Sequence, residues 1–261
     1  MRPIAAATAA AFVLAALLLP ATPARALDSR HLRADGVDYR VVTVDLPADR
    51  LELHWRDAAG APLRSIERLD AAGSAAGRTL LFATNAGIYD SDYRPLGLHI
   101  EGGRELRPLN TAKASGSAGN FAIQPNGVFY IDHGGAAGVV PTTQWRARPR
   151  DARLATQSGP MLVVDGAING RFDAGSDSLK WRSGVCAKTA HRVLFAVSEG
   201  PVSFHAFARL FRDELGCRDA LYLDGTLSRI YTRADGYAGA PAMMVKPYAG
   251  MFAVFAERVV D

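Results

Sequence analysis

Cysteine is scarce in this chain: there are two, Cys186 and Cys217. No Cys-x-x-Cys spacing occurs, and the six histidines are dispersed without a His-Glu-x-x-His pair. The usual zinc spacings are therefore missing, and each histidine reads as structural or superficial rather than as a ligand. No Gly-x-Ser-x-Gly elbow, P-loop or dinucleotide fingerprint appears, which removes a lipase-type serine and nucleotide-cofactor chemistry. Asp173 and Asp177 faintly suggest a calcium loop, but the later bidentate glutamate is lacking and a solvated loop is the better reading. The arginines are scattered and no basic cluster interleaves with aromatics, so nucleic acid is not an expected partner. Internal repeats and long low-complexity linkers are absent. No cofactor and no metal site is expected.

One long apolar run exists, at the start. Arg2 is followed by the uncharged stretch Ile4 to Leu19, Pro20 breaks it, and Ala24-Arg25-Ala26 supplies a small-x-small cleavage site. That order reads as a secretory signal peptide over residues 1–26, cleaved after Ala26. The run is short for a bilayer span, which takes about 20 residues, so no stable membrane insertion is expected after cleavage. The expected location is periplasmic or secreted. Residues 27–261 then form one domain, long enough for one sizeable core. Removing Arg2 and Arg25 lowers the formal charge from +4 to +2, so the basic balance carries little information about partners. In an exported chain Cys186 and Cys217 are either a disulfide, which would stabilise the fold by about 3–4 kcal/mol, or two buried thiols.

Several short apolar runs read as strands. Val37 to Leu46 is rich in β-branched residues, Pro47–Arg50 reads as a turn, and Leu51 to Trp55 alternates as a returning strand. Asn126-Gly127 lies between Phe121–Gln124 and Val128–Ile131, a hairpin signal. One helix is clear: Phe204, Phe207, Ala208, Phe211 and Leu215 share a face, with Ser203 as N-cap and Gly216 just past the end. It lies between the runs ending at Glu199 and Asp224, and strand–helix–strand predicts a crossover that sets those strands parallel. The expected fold is α+β: a single domain with a mixed, largely antiparallel sheet and at least one packed helix.

Polar groups cluster where the apolar runs stop. Asn85 ends one run, Gln157-Ser158-Gly159-Pro160 precedes another, Arg182 heads a third, and Glu199-Gly200 and Asp224-Gly225 close the last two. A glycine beside each lets a ligand approach the backbone. Two acids at strand ends are the apparatus of glycoside cleavage.

These segments resemble the phosphodiester glycosidase domain family, in its bacterial exported branch. The resemblance rests on Thr84-Asn85-Ala86-Gly87-Ile88-Tyr89 with Pro95-Leu96-Gly97-Leu98, Gly119-Asn120-Phe121, Pro125-Asn126-Gly127-Val128-Phe129-Tyr130, Ala155 to Leu162, Arg182-Ser183-Gly184-Val185 and Tyr222-Leu223-Asp224-Gly225 with Ser228. An animal member, the uncovering enzyme of the mannose 6-phosphate pathway, removes N-acetylglucosamine from a sugar phosphodiester. The resemblance implies an exported hydrolase that cleaves the sugar C–O bond of a sugar-1-phosphodiester in envelope or extracellular glycans. It differs at Thr226 and Leu227, where the animal branch carries glycines, and at Glu199, where the family has an Asp-Gly segment.

Asp224 and Glu199 are the candidate catalytic acids, and Arg182 the candidate phosphate clamp, since guanidinium grips phosphate in two-pronged fashion. Asn85, Gly87, Asn120, Ser158, Gly159, Pro160, Gly225 and Ser228 are the candidate substrate contacts. Two other readings stay open from the residues. One is a metal-dependent phosphodiesterase cutting P–O, although its ligand cluster is not found. The other is a non-catalytic glycan-binding module using Tyr89, Tyr93, Trp145 or Trp181 as platforms.

Overall fold

The computed structural model describes residues 26–112, 119–146 and 151–257. Apart from Ala26, the signal peptide expected over 1–26 lies outside the described residues. In chain order the strands are β1 (Asp28–Ala34), β2 (Val37–Asp45), β3 (Leu51–His54), β4 (Arg78–Asn85), β5 (His99–Glu101) and β6 (Arg104–Arg107). There follow β7 (Gly127–Asp132), β8 (Ala137–Pro141), β9 (Ala152–Ser158), β10 (Met161–Val164) and β11 (Ala167–Ile168). The last are β12 (Ser183–Thr189), β13 (Arg192–Ser198), β14 (Ala220–Asp224), β15 (Arg229–Thr232), β16 (Gly236–Gly239) and β17 (Met251–Glu257). Helices α1 (Ile66–Ala75), α2 (Thr142–Trp145) and α3 (Phe204–Arg209) interrupt them.

Three sheets result: β1-β2-β13-β12-β14-β10-β11, β16-β15-β4-β17-β3 and β6-β5-β9-β7-β8. All three contribute to one central core, with Val185, Phe195 and Leu221 from the first, Phe82 and Phe252 from the second, and Phe129 and Leu154 from the third. Four phenylalanines lock the junction: Phe195 stands 5.1 Å from Phe82, 5.2 Å from Phe252 and 6.2 Å from Phe129, ring centre to ring centre. Each such burial stabilises by about 1.5–3 kcal/mol. The outer faces are covered separately. α3 and the turn that continues it lie over the first sheet through Phe207 and Phe211, and α1 over the second through Ile66 and Leu69. The α+β class is the one expected.

The helix expected after Ser203 forms as α3, and the Ser203 hydroxyl accepts from the Ala206 amide. It continues as a π-helical turn, Leu210–Glu214, and leaves through Gly216 at φ 59°. The parallel orientation of β13 and β14 is also present, because both run antiparallel to β12. They are not neighbours, however: β12 lies between them. Two expected hairpins do not form. β2 pairs with β1 and β13, whereas β3 joins the second sheet beside β17, so Pro47–Arg50 carries the chain between layers. Before Asn126-Gly127 the chain makes a 3₁₀ turn, Gly119–Ala122, and the Asn126 amide donates to the Phe121 carbonyl instead of opening a strand pair.

Cys186 on β12 and Cys217 beyond α3 are bonded, closing a 31-residue separation. Chain-entropy reasoning puts that constraint at about 3–4 kcal/mol. Replacing both cysteines by serine is expected to lower the urea-unfolding free energy by about that amount, with the m-value checking that the denatured state has expanded.

Candidate active site

The site forms where β14, β12, β4 and β9 end together. Asp224 closes β14 and faces Ser183, the first residue of β12, in the strand register. A hydrogen-bond chain ties these ends. Asn85 Nδ2 donates to Ser183 Oγ at 2.8 Å. Ser183 Oγ lies 3.0 Å from Ser228 Oγ, and Ser228 Oγ lies 2.8 Å from the Asp224 carbonyl. A carbonyl only accepts, so the single Ser228 proton goes to Asp224 and Ser183 donates to Ser228. The Asn85 carbonyl oxygen accepts from the Arg229 amide, so both ends of this amide are occupied within the protein. Ser158 Oγ is likewise engaged, donating to the Leu223 carbonyl and accepting from the Ile88 amide. Asn85, Ser158 and Ser228 are all buried. Gly87 and Gly159 are packed as closely: a β-carbon would stand 2.6 Å from the Gln157 carbonyl at the first and 1.8 Å from Asn126 Oδ1 at the second. A side chain at Gly225 would force a shift, because a β-carbon there would stand 2.8 Å from the hydroxyl of buried Tyr222.

Asp224 is half-buried, and among the described residues it has no ion-pair partner. Burial raises its pKa to about 6, against the opposing pull of the Gly225 amide, which donates to Oδ1 at 2.6 Å. Three tyrosines lie within electrostatic reach of this charge. Burial first, then the Asp224 carboxylate, pushes the hydroxyls of Tyr222 and Tyr89 well above their ordinary pKa. Tyr248 lies under the same influence, also mainly through burial. Asn120 Nδ2 donates to the Tyr222 hydroxyl at 3.2 Å. The resulting centre is a carboxyl with a near-neutral pKa among protonated phenols, which is what acid–base work near neutrality requires.

Arg182 is beside this group but not open to it. The residue is 1 % exposed, and its guanidinium carbon lies 3.6 Å above the Phe204 ring and 5.6 Å from the Tyr222 ring centre. Nε donates to the Val202 carbonyl and Nη2 to the Ser178 carbonyl. A two-pronged phosphate clamp needs those donors free. Two of its donors are thus spent on backbone carbonyls, its guanidinium packs beside Tyr222, and Nη1 is left without a well-formed hydrogen bond.

Glu199 is not brought to Asp224. It follows β13, one strand beyond β12, and is exposed. Its carboxylate pairs with His31 at 3.3 Å and Arg40 at 3.8 Å. Those partners come from β1 and β2, so the acid is drawn toward the opposite side of the sheet from β14. An exposed pair of this kind contributes about 0–1 kcal/mol. Glu199→Gln is expected to change the rate of sugar release less than about fivefold, as steady-state kinetics would show.

Tyr222, Tyr248 and Ser183 are the site residues that sequence reasoning passed over. Tyr222 was within reach, since two residues before Asp224 shares its face on an ideal strand. Tyr248 has no such local signal. Of the proposed platforms, Trp145 is a packing residue against Tyr130, whereas Tyr89 and Tyr93 stack at 5.7 Å beside Asp224's tyrosine ring set.

Residues 78–243 match the model of a family described as phosphodiester glycosidase. YigE of Escherichia coli K12, an uncharacterized protein, is 34% identical over 241 residues, covering 92% of this chain and 91% of that one. Among solved structures the zebrafish N-acetylglucosamine-1-phosphodiester alpha-N-acetylglucosaminidase catalytic domain, auto-inhibited by its pro-peptide, aligns with TM-score 0.62 at 15% identity, covering 90% of this chain and 85% of that one. A putative exported protein of Burkholderia pseudomallei aligns with TM-score 0.53 at 12% identity, over 84% and 74% of the two chains. These structural likenesses concern the fold.

Proposed function

Because this chain belongs to the phosphodiester glycosidase family, we propose that it is an exported hydrolase that cleaves the sugar C–O bond of a sugar-1-phosphodiester. Asp224 is the group acting at the anomeric carbon. The observation that carries this reading is the carboxyl itself: half-buried, without a cationic partner among the described residues, and held near pKa 6 by its surroundings.

In its ionised form Asp224 places negative charge at the anomeric carbon, directly or through a water. The departing group is a phosphomonoester, a weak base that needs little protonation. A second carboxyl of the ordinary glycosidase pair is then dispensable, which accommodates the position of Glu199. In this reading the role of Asn120 and of the Gly225 amide is to support Tyr222 and Asp224, to which they donate, while Arg182 packs beside Tyr222. Asn85, Gly87, Ser158, Gly159, Pro160 and Ser228 keep the four strand ends in register.

Export is supported by the basic–apolar–Ala-x-Ala order at the start and by a disulfide, which persists in oxidising compartments. Among the described residues no helix is long and apolar enough to cross a membrane. The mature chain, 27–261, would be the glycosidase domain. Incubating it with a sugar-1-phosphodiester is expected to give free sugar and an intact phosphomonoester. Recovery of the bound diester unchanged after prolonged incubation would leave a binding module instead.

A further inference from the structure

A cavity of about 410 Å³ opens beside Tyr248, one of the tyrosines within electrostatic reach of Asp224. Arg64, Arg68 and Lys246 stand exposed at its rim, half-buried Arg229 lines it, and Tyr237 and Tyr248 form its walls. Glu67 is the one acid on the lining, and its carboxylate is taken by the Tyr237 hydroxyl at 2.5 Å. The lining thus carries four cationic residues and one acid, whose carboxylate accepts from Tyr237. Arg229 is stacked on Tyr237 at 4.0 Å, and its Nε is buried without a hydrogen-bond partner. Arg64 is held at φ 65°, with its guanidinium 5.0 Å from the Tyr93 ring.

Two lining residues link this cavity to the surroundings of Asp224. Tyr248 lines the cavity, yet its hydroxyl reaches the Leu227 carbonyl on the turn that follows Asp224. Pro247, another lining residue, accepts the Tyr89 hydroxyl at 2.7 Å. The Tyr248 hydroxyl is governed by burial first, and also by Arg229 and Glu67 on the cavity side and Asp224 on the other. Tyr248 therefore lies within electrostatic reach of both places.

We infer that this cavity is an anion subsite that takes phosphate oxygens on the leaving-group side of the substrate. Clustered guanidinium and ammonium groups over low-dielectric tyrosine walls attract and hold such oxygens. The lining also fits an aglycone, since Tyr237 and Tyr248 present apolar faces between the charges. Assigning the anion to the leaving side rests on the glycosidase reading. The anion site itself does not.

The test is titration of inorganic phosphate onto the mature chain at low ionic strength, followed by calorimetry. Saturable binding is expected, weakening as salt is added. In the Arg68→Ala, Lys246→Ala double variant the affinity should fall about tenfold or more, with an unchanged unfolding midpoint because both side chains are exposed. Asp224→Asn should leave phosphate binding at least as tight. For hydrolysis, the double variant should lower kcat/KM, through KM where the cavity holds a non-reacting anion and through kcat as well where it holds the scissile phosphate, on which charge builds up. An equal KM rise for diesters with and without a further phosphate on the aglycone places the scissile phosphate in the cavity. A rise confined to the doubly charged substrate places the second anion there. Absence of saturable phosphate binding, or equal affinity in the double variant, would overturn the subsite. If phosphate binding is lost as expected but no diester is cleaved by the wild type, the subsite stands and the hydrolase reading falls.

Discussion

Asp224→Asn should lower turnover of a sugar-1-phosphodiester by roughly 10²–10⁴-fold, the range for losing a positioned acid–base group, while making the protein more stable above pH 6. Both effects have one origin. Burial holds the folded carboxyl near pKa 6 instead of its ordinary 3.8. The unfolded chain therefore gives up this proton at lower pH than the folded one. Below about pH 4 both states are protonated, and the raised pKa costs nothing. Between about pH 4 and 6 stability falls, and above 6 the full penalty remains, at most about 3 kcal/mol for this half-buried group. Asparagine is neutral throughout and can still accept from the Gly225 amide, so it removes the penalty. Urea unfolding at pH 3 and pH 8 should show almost no gain at the first and up to that gain at the second. The wild-type kcat/KM should rise with pH through about 6 and then level off, because the working form is ionised. Full activity in the variant would remove Asp224 from the mechanism, and a rate that falls above pH 6 would make it the acid.

Arg182→Lys is expected to cost about 2–4 kcal/mol and to slow phosphodiesters and aryl glycosides alike. The guanidinium makes two charged hydrogen bonds to backbone carbonyls, each worth about 1.5–3 kcal/mol, and rests on Phe204 and near Tyr222. Lysine keeps the charge but is a point donor that hydrates strongly. It cannot reach both Val202 and Ser178 in the planar geometry of the fork. Tyr222 then loses its support, and with it the environment of Asp224. A group that gripped phosphate directly would behave otherwise: the loss would be confined to phosphodiesters, with the unfolding midpoint and aryl glycoside kinetics intact. Measuring both substrates alongside thermal unfolding separates the two roles.

What could be read in the sequence was local. Ser203 to Gly216 encodes a capped, one-faced helix regardless of what it packs against, and α3 forms there. Asp224-Gly225 ends an apolar run, and a strand end with a polar group must be somewhere near solvent. The partners of each strand were not local. Val37–Leu46 and Leu51–Trp55 have the same alternation whether they pair with one another or part into two sheets, and they part. β1 has an exposed, charged pattern that offers little hydrophobic signal. Glu199 looked equivalent to Asp224 because both follow β-rich runs and precede glycine. The difference comes from Arg40 and His31, more than 150 positions earlier, which claim one acid and leave the other alone. Arg182 looked like a ligand clamp because nothing in its neighbourhood announces that Val202 and Ser178 carbonyls will fold back onto it. Tyr248, from the last part of the chain, completes the site for the same long-range reason.

Hydrolysis of a sugar-1-phosphodiester in ¹⁸O-labelled water, with mass analysis of both products, tests the central claim most directly. Label in the sugar hydroxyl and none in the phosphomonoester is the result expected for attack at the anomeric carbon beside Asp224. Label in the phosphomonoester would mean that the P–O bond breaks, and would contradict a glycosidase built on this carboxyl.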